Sequence, residues 1–126
     1  MLIDSDVLIW YLRGNKNAQK IIRASIPFKI SVINYVELIH GMKDKRELAL
    51  FHKYLKEWSV EILQINETIS TRAMFFVEDY FLSHSMEFSD AIIASTALEY
   101  QEKLLTANDK HYGFIPGLQI NKFRPK

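Results

Sequence analysis

Three acidic residues stand where a chain of alternating strands and helices would place catalytic groups. Asp4 directly follows the apolar segment 1–3, and Glu37 and Asp90 each lie in the first turn of a predicted helix. Hard divalent cations such as Mg²⁺ are held by carboxylate oxygens from several chain segments. Each acid alone is more typical of a helix cap or of a first-turn acid that complements the helix dipole. The three together predict a metal site.

Asp6 is a fourth candidate because it lies two residues beyond Asp4, at the start of the first helix. Both carboxylates are expected to face one cleft once the strand has ended. The alternative is that Asp6 serves only as the N-cap of that helix.

The apolar pattern predicts the elements that must position these acids. Strands are expected at 1–3, 28–32, 60–65, 103–106 and 118–123, and helices at 7–13, 18–24, 34–41, 48–58, 69–81 and from Ser89 onward. Ser89 is predicted to cap the last helix, and Asn34 and Glu37 have the spacing of a capping box. Strands that alternate with helices indicate an α/β fold in which a parallel sheet is covered on both faces. We therefore predict one domain over residues 1–126, with its chemistry at the carboxyl ends of the strands.

Composition excludes several kinds of site. The chain has 126 residues and no cysteine, which excludes disulfides, thiolate zinc sites and cysteine nucleophiles. We expect a cytoplasmic protein, since no signal peptide or apolar run of about 20 residues is visible. The net charge of +1 predicts no partner by itself. A basic rim is expected if the early and late basic residues meet, and ordinary solvated surface is the alternative; these residues are Arg13, Lys16, Lys20, Arg23, Lys103, Lys110, Lys122, Arg124 and Lys126.

Other catalytic motifs are incomplete. Glu37 and His40 form one Glu-x-x-His pair, but the di-iron sites of helical bundles need a second pair. The four glycines are too far apart for a phosphate loop, and no serine lies in a nucleophile elbow.

Four segments in order resemble the PIN-domain family, and specifically the VapC-type toxins of toxin–antitoxin pairs. These segments are Ile3-Asp4-Ser5-Asp6-Val7-Leu8-Ile9, then Ile30-Ser31-Val32 leading to Glu37-Leu38 and Gly41, then Asp90-Ala91-Ile92-Ile93-Ala94-Ser95-Thr96-Ala97, and finally Leu105-Thr106-Ala107-Asn108 with Tyr112 and Gly117-Leu118. They span nearly the whole chain. The resemblance implies a three-layer α/β/α fold with a central parallel sheet and an acidic pocket that binds Mg²⁺ or Mn²⁺. It also implies hydrolysis of RNA by a metal-activated water.

The resemblance also assigns the site residues. Asp4, Glu37 and Asp90 match the family's three firmest acidic positions, and Asp6 stands where many relatives have asparagine. Asn108 matches a fourth position that is often aspartate. The neighbouring Asp109 has the better charge for a hard cation, but the register after Thr106 favours Asn108. We therefore predict that Asn108 lines the pocket and that Asp109 faces outward.

The partners implied by the resemblance are an RNA substrate, a cognate antitoxin protein and a second copy of the chain. Trp10, Tyr11, Tyr35 and Ile39 are predicted to form an apolar stripe that binds the antitoxin. The alternative is that these side chains simply belong to the core.

Three other kinds of protein compete with this interpretation. In a haloacid-dehalogenase-like phosphatase, Asp4 would be a nucleophile that forms an aspartyl-phosphate, but Glu37 and the Asp90 segment would have no role. A receiver-like signalling domain needs a lysine after its late strand, whereas Lys103 precedes Leu104. A catalytically dead interaction module would bind no Mn²⁺.

Overall fold

The computed structural model covers residues 1–126 and is built on a five-stranded parallel sheet. The strands are β1 (Leu2–Ile3), β2 (Lys29–Ser31), β3 (Glu61–Leu63), β4 (Leu104–Thr106) and β5 (Ile120–Lys122). Their order in the sheet is β3-β2-β1-β4-β5, and every neighbouring pair is parallel. The predicted parallel sheet is thereby confirmed.

Six helices and one short 3₁₀ turn connect the strands. They are α1 (Ser5–Leu12), α2 (Lys16–Ser25), α3 (Val32–His40), α4 (Lys45–Glu57), α5 (Glu67–His84), α6 (Phe88–Glu99) and the 3₁₀ turn Asp109–His111. None of the helices is long and apolar enough to span a membrane.

Adjacent residues of the central strands serve two separate cores. Leu2 and Leu104 belong to a buried cluster with side chains of α5 and α6, whereas Ile3 and Leu105 belong to a second cluster with side chains of α1 to α4. All four side chains are fully buried. Because successive strand residues point to opposite faces, the sheet is covered by helices on both sides. The expected three-layer α/β/α arrangement is confirmed.

The strand order also fixes where a ligand would bind. From β1 the chain builds outward through β2 and β3, and then returns to place β4 on the other side of β1. A crevice forms where the strand order reverses, outside the carboxyl ends of the two strands concerned. Asp4 follows β1 and Asn108 lies two residues past β4, so both flank this crevice.

Three predictions about helix starts are wrong. Ser89 does not cap α6, because the helix begins at Phe88 after the extended residue Glu87, which makes no capping bond. Ser31, not Asn34, caps α3; its hydroxyl accepts from the Asn34 N–H, and Asn34 completes the capping box. Since α3 starts at Val32, Glu37 lies in its second turn and not in its first.

Candidate active site

A cleft of about 510 Å³ lies beyond the carboxyl ends of β1 and β4. All five candidate site residues line it: Asp4, Asp6, Glu37, Asp90 and Asn108. Glu87 adds a further acid, while no lysine or arginine lines the cleft. The cleft is therefore strongly negative, with only His84 and His111 as possible cations in its lining.

Asp4 joins three chain segments at the base of the cleft. It is the N-cap of α1, and its Oδ1 accepts hydrogen bonds from Ser5 N at 2.8 Å and from Asn34 Nδ2 at 3.0 Å. Its Oδ2 accepts from Thr106 Oγ1 at 2.9 Å. The capping role and the site role thus coexist in one carboxylate. Because Asp4 is the cap, the alternative N-cap role for Asp6 is excluded.

Glu37 is held at the cleft by a relay of hydrogen bonds. Ser5 Oγ donates to Glu37 Oε1 at 2.5 Å, and Asn34 Nδ2 donates to Ser5 Oγ at 3.0 Å. Asn34 is fixed in turn by Ser31, whose backbone N–H and hydroxyl both donate to Asn34 Oδ1 at 3.0 and 2.7 Å. The orientation of Glu37 therefore depends on a buried asparagine three residues earlier on α3.

Asp6 extends the site toward β4. Its Oδ2 accepts from Ala107 N at 3.0 Å and from Thr106 Oγ1 at 3.4 Å. Its Oδ1 is buried and has no hydrogen-bond partner. A buried carboxylate oxygen costs free energy when it has no partner, so this atom fits a site that receives a cation.

The loop after β4 gives Asn108 and Asp109 different partners. Thr106 Oγ1 accepts from Asn108 N at 3.0 Å, and Asn108 lines the cleft. Asp109 is absent from the cleft lining; it pairs with Arg124 at 2.9 Å and with Lys122 at 3.9 Å. The 3₁₀ turn that begins at Asp109 gives the two neighbouring side chains different directions.

Asp90 enters the cleft from the first turn of α6, as the sequence predicted. His111 Nδ1 lies 3.6 Å from Asp90 Oδ2. Tyr112, which is 2% exposed, lines the cleft, and its hydroxyl interacts with Asp90 and lowers the pKa of that carboxyl. Asp90 therefore has two neighbours that sequence reasoning did not identify.

Burial raises the pKa of every candidate carboxyl, and neighbouring negative charges raise it further at Asp4, Glu37 and Asp90. Burial, followed by the charge of Asp6, raises the pKa of Asp4 from 3.8 to about 6. Burial is also the largest cause of the raised pKa values of Asp6, Glu37 and Asp90, against opposing hydrogen bonds or the charge of His111. Burial, followed by the charges of the same carboxylates, raises the pKa of Tyr112. Such a cluster lacks positive charge, which a divalent cation would supply.

The donor set fits a hard cation, although the side chains do not form a ready-made shell. No three histidine or acidic side chains are grouped closely enough to hold one ion together. Asp4 Oδ1 already accepts a hydrogen bond from Ser5 N, and Glu37 Oε1 already accepts one from Ser5 Oγ. Carboxylate and amide oxygens are the ligands that Mg²⁺ and Mn²⁺ prefer, so the donor types suit such an ion, and the side chains would have to reorient to hold it together.

Several cleft residues were not predicted as site residues. They are Ser5, His84, Glu87, His111 and Tyr112 in the lining, and Asn34 and Thr106 behind it. Thr106 carried a local signal, because a polar residue ended a buried strand two residues before Asn108. Asn34 reaches Asp4 through the strand order and His84 reaches the cleft through the length of α5, and local sequence patterns specify neither.

The predicted basic rim forms only in part. The two ends of the chain do meet, since Asn15 Nδ2 donates to Pro125 O at 2.9 Å. However, Lys122 and Arg124 pair with Asp109, and Arg13 lies over the ring of Trp10, 5.9 Å from its centroid. These cations are therefore partly engaged by the protein itself.

The predicted apolar stripe does not stand out from the core. Trp10, Tyr11, Tyr35 and Ile39 are only partly exposed, and all four pack against the cluster under α1 to α4. Tyr11, for example, makes an edge contact with Trp58 at a centroid distance of 4.9 Å. The alternative interpretation, that these side chains belong to the core, therefore holds for most of their surface.

Comparison with known proteins agrees with this architecture. The family model for the PIN domain matches residues 1–114. Ribonuclease VapC10 of Mycobacterium tuberculosis is 35% identical over 123 residues, covering 94% of this chain and 90% of the relative.

Solved structures share the fold. A VapBC2 structure from Rickettsia felis, bound to a promoter DNA fragment, superposes with a TM-score of 0.81 at 17% identity and covers 98% of both chains. A toxin–antitoxin complex from Klebsiella pneumoniae gives a TM-score of 0.74 at 24% identity, covering 99% of this chain and 97% of the other. The family match over most of the chain, together with the order of the acidic segments, shows that this protein belongs to the PIN-domain family.

Proposed function

We propose that the chain is a Mg²⁺- or Mn²⁺-dependent endoribonuclease that hydrolyses RNA phosphodiester bonds in the acidic cleft. The observation that carries the proposal is the cleft itself, which gathers five acids and Asn108 with no lysine or arginine. RNA as the substrate is supported by the 35% identity to a ribonuclease along nearly the whole chain.

Each site residue has a distinct proposed role. Asp4 and Asp90 hold the cation, and Asp6 offers its unpartnered Oδ1. Glu37, oriented by Ser5, holds the cation or orients the attacking water, and Asn108 completes the shell directly or through a water. A bound divalent cation would supply an acidified water and would offset the charge that develops on the phosphate.

We also propose that the chain is the toxin of a toxin–antitoxin pair, bound and inhibited by a cognate antitoxin protein. The relatives with the same fold include toxin–antitoxin complexes. An apolar groove adjoins the cleft and shares Ile9 and Glu37 with it. Its apolar lining comprises Ile9, Leu12, Leu38, Met42, Leu50 and Phe51. We place the antitoxin in this groove, and we place the protein in the cytoplasm, where RNA and such a partner are found.

A homodimer is part of the same proposal. Large apolar side chains stay exposed along α5 and at the start of α6: Met74, Phe75, Phe81, Leu82 and Phe88. An exposed apolar surface of this kind is typical of an interface. Light scattering that detects only monomer at high protein concentration would remove the dimer from the proposal.

Incubation of the purified protein with labelled RNA tests the activity. We expect cleavage with Mn²⁺, none with an excess of chelator, and recovery when Mn²⁺ is restored. Cleavage that persists in chelator would exclude the metal-dependent mechanism. Formation of an aspartyl-phosphate at Asp4 would instead favour the phosphatase, and failure to bind Mn²⁺ would favour an inactive interaction module.

A further inference from the structure

We propose that His84, which stacks on Phe114 at the edge of the acidic cleft, provides the stacking surface for one unpaired base of the substrate RNA. The inference rests on the proposed ribonuclease function and concerns how the same cleft binds its substrate. It assigns a binding role to a residue that takes no part in holding the cation.

Three neighbours contact the His84 ring: Tyr80, Ser83 and Phe114. Its centroid lies 3.9 Å from that of Phe114, and the two rings are within 18° of parallel. Tyr80 supports both from one turn earlier on α5, with its ring centroid 4.8 Å from Phe114 in an edge contact. Ser83 Oγ lies 2.7 Å from His84 Nδ1. The ring is thus fixed by its neighbours before any ligand arrives.

The His84 ring remains accessible to a ligand in the cleft. His84 is an exposed residue and lines the cleft, whereas Phe114 lies behind it and is absent from the lining. A short turn through Ser85, in the left-handed conformation with φ 53°, joins α5 to α6. The segment after this turn carries Asp90, and both His84 and Asp90 line the cleft. A base stacked on His84 would therefore lie in the same cleft as the candidate catalytic acids.

Stacking is the contact that this part of the cleft can offer to RNA. No lysine or arginine lines the cleft, so its walls provide no strong cation for additional phosphates. Unpaired RNA bases are commonly bound by stacking on aromatic rings, histidine included. The faces of a base inside a duplex are covered by its stacked neighbours, so a base that stacks on His84 would come from an unpaired segment.

Steady-state cleavage of a short unstructured RNA in Mn²⁺ tests the proposal. We expect His84→Ala to raise KM about 5- to 20-fold, the lower part of the range for loss of one stacked base, with kcat nearly unchanged. His84→Phe should keep KM near the wild-type value because it keeps a flat ring. The matched control is His52→Ala, since His52 is also exposed beside an aromatic ring, Phe51, but lies outside the cleft.

A binding measurement makes the test independent of cleavage. In an Asp90→Asn background, an RNA that carries 2-aminopurine should lose fluorescence on binding, and adding His84→Ala should abolish that quenching. An unchanged KM and unchanged quenching in His84→Ala would overturn the stacking role. Equal losses in His84→Ala and His84→Phe would overturn it as well, because they would indicate a role for the ring nitrogens. Failure of the wild-type protein to cleave any RNA would count against the proposed function instead, and the quenching would still decide the stacking.

Discussion

Asn34 Nδ2 lies 3.0 Å from Asp4 Oδ1 and so ties α3 to the carboxylate at the end of β1. The same amide donates to Ser5 Oγ, which holds Glu37. One fully buried asparagine therefore orients two candidate metal ligands from different segments. In a metal-free cleft this arrangement keeps the two carboxylates from turning away from each other.

We predict that Asn34→Ala lowers the cleavage rate at least tenfold and weakens Mn²⁺ binding, because both carboxylates lose their orienting donor. The free energy of unfolding should also fall by about 1–3 kcal/mol, the usual cost of unpaired buried groups. Asn66→Ala is the matched control, since Asn66 caps α5 by accepting from Ile69 N at 2.9 Å and lies outside the cleft. Cleavage assays and calorimetry on both variants measure the rate, the Mn²⁺ affinity and the stability. Equal activity in the two would contradict the orienting role.

The charge of Asp4 is predicted to destabilise the metal-free protein at neutral pH. Its pKa is about 6 in the folded chain against 3.8 ordinarily, so the folded state holds this proton more tightly than the unfolded state. The free energy of unfolding therefore falls as the pH rises from about 4 through about 6, by about 3 kcal/mol for this one group. A bound cation would restore this lost free energy of unfolding.

Asp4→Asn should consequently raise the free energy of unfolding of the metal-free protein at pH 7.5 by about 1–3 kcal/mol, and change it little at pH 4. The amide can keep the Oδ1 contacts and donate to Thr106 in place of accepting from it. Denaturant titrations in chelator at the two pH values measure this. An equal loss of stability at both values would show that the charge is not the cause.

The hydroxyl of Tyr112 is predicted to assist Asp90. Tyr112→Phe keeps the buried ring but removes the group that interacts with Asp90. Loss of this interaction with a charged group should slow cleavage about tenfold with the fold intact. Tyr100→Phe is the control, because its hydroxyl donates to Gln64 O at 3.2 Å outside the cleft. Cleavage at the wild-type rate in Tyr112→Phe would exclude the role.

The loop after β4 offers a test of the neutral fourth position. Asn108→Asp should tighten Mn²⁺ binding, because a carboxylate replaces an amide in the cleft lining. Asp109→Ala should change cleavage little, since Asp109 pairs with Arg124 away from the cleft. Calorimetry and a cleavage assay on both variants check this. If Asp109→Ala is as damaging as Asp90→Asn, Asp109 is the ligand and the observed register does not describe the active state.

The sequence could bring Asp4 and Asp90 to one cleft because their positions follow from a strand end and a helix start. Asp4 follows an apolar run, and Asp90 lies in the first turn of an apolar helix, so both could be placed without knowledge of the strand order. The orienting residues could not. Asn34 and Thr106 contact Asp4 only because β1 lies between β2 and β4, and the spacing of apolar residues does not determine that order.

The errors at helix starts arose because neighbouring residues can both serve as an N-cap. Ser31 and Asn34 both suit an N-cap, and the choice between them shifts Glu37 by one helical turn. Ser89 is a better capping residue than Glu87, yet α6 begins earlier and leaves its start without a side-chain cap. The aromatic stripe was misread because Tyr11 and Tyr35 find partners on α4, which the sequence separates from them.

The most direct test of the central claim compares an acid that lines the cleft with an acid on a neighbouring helix that does not. The rate of RNA cleavage in Mn²⁺ is measured for the wild-type protein, Asp90→Asn and Asp79→Asn; Asp79 lies on α5 outside the cleft. Our account predicts that Asp90→Asn lowers the rate at least 100-fold and that Asp79→Asn stays within about twofold of wild type, with both proteins folded. Cleavage by Asp90→Asn at the wild-type rate would contradict the assignment of the acidic cleft as the active site.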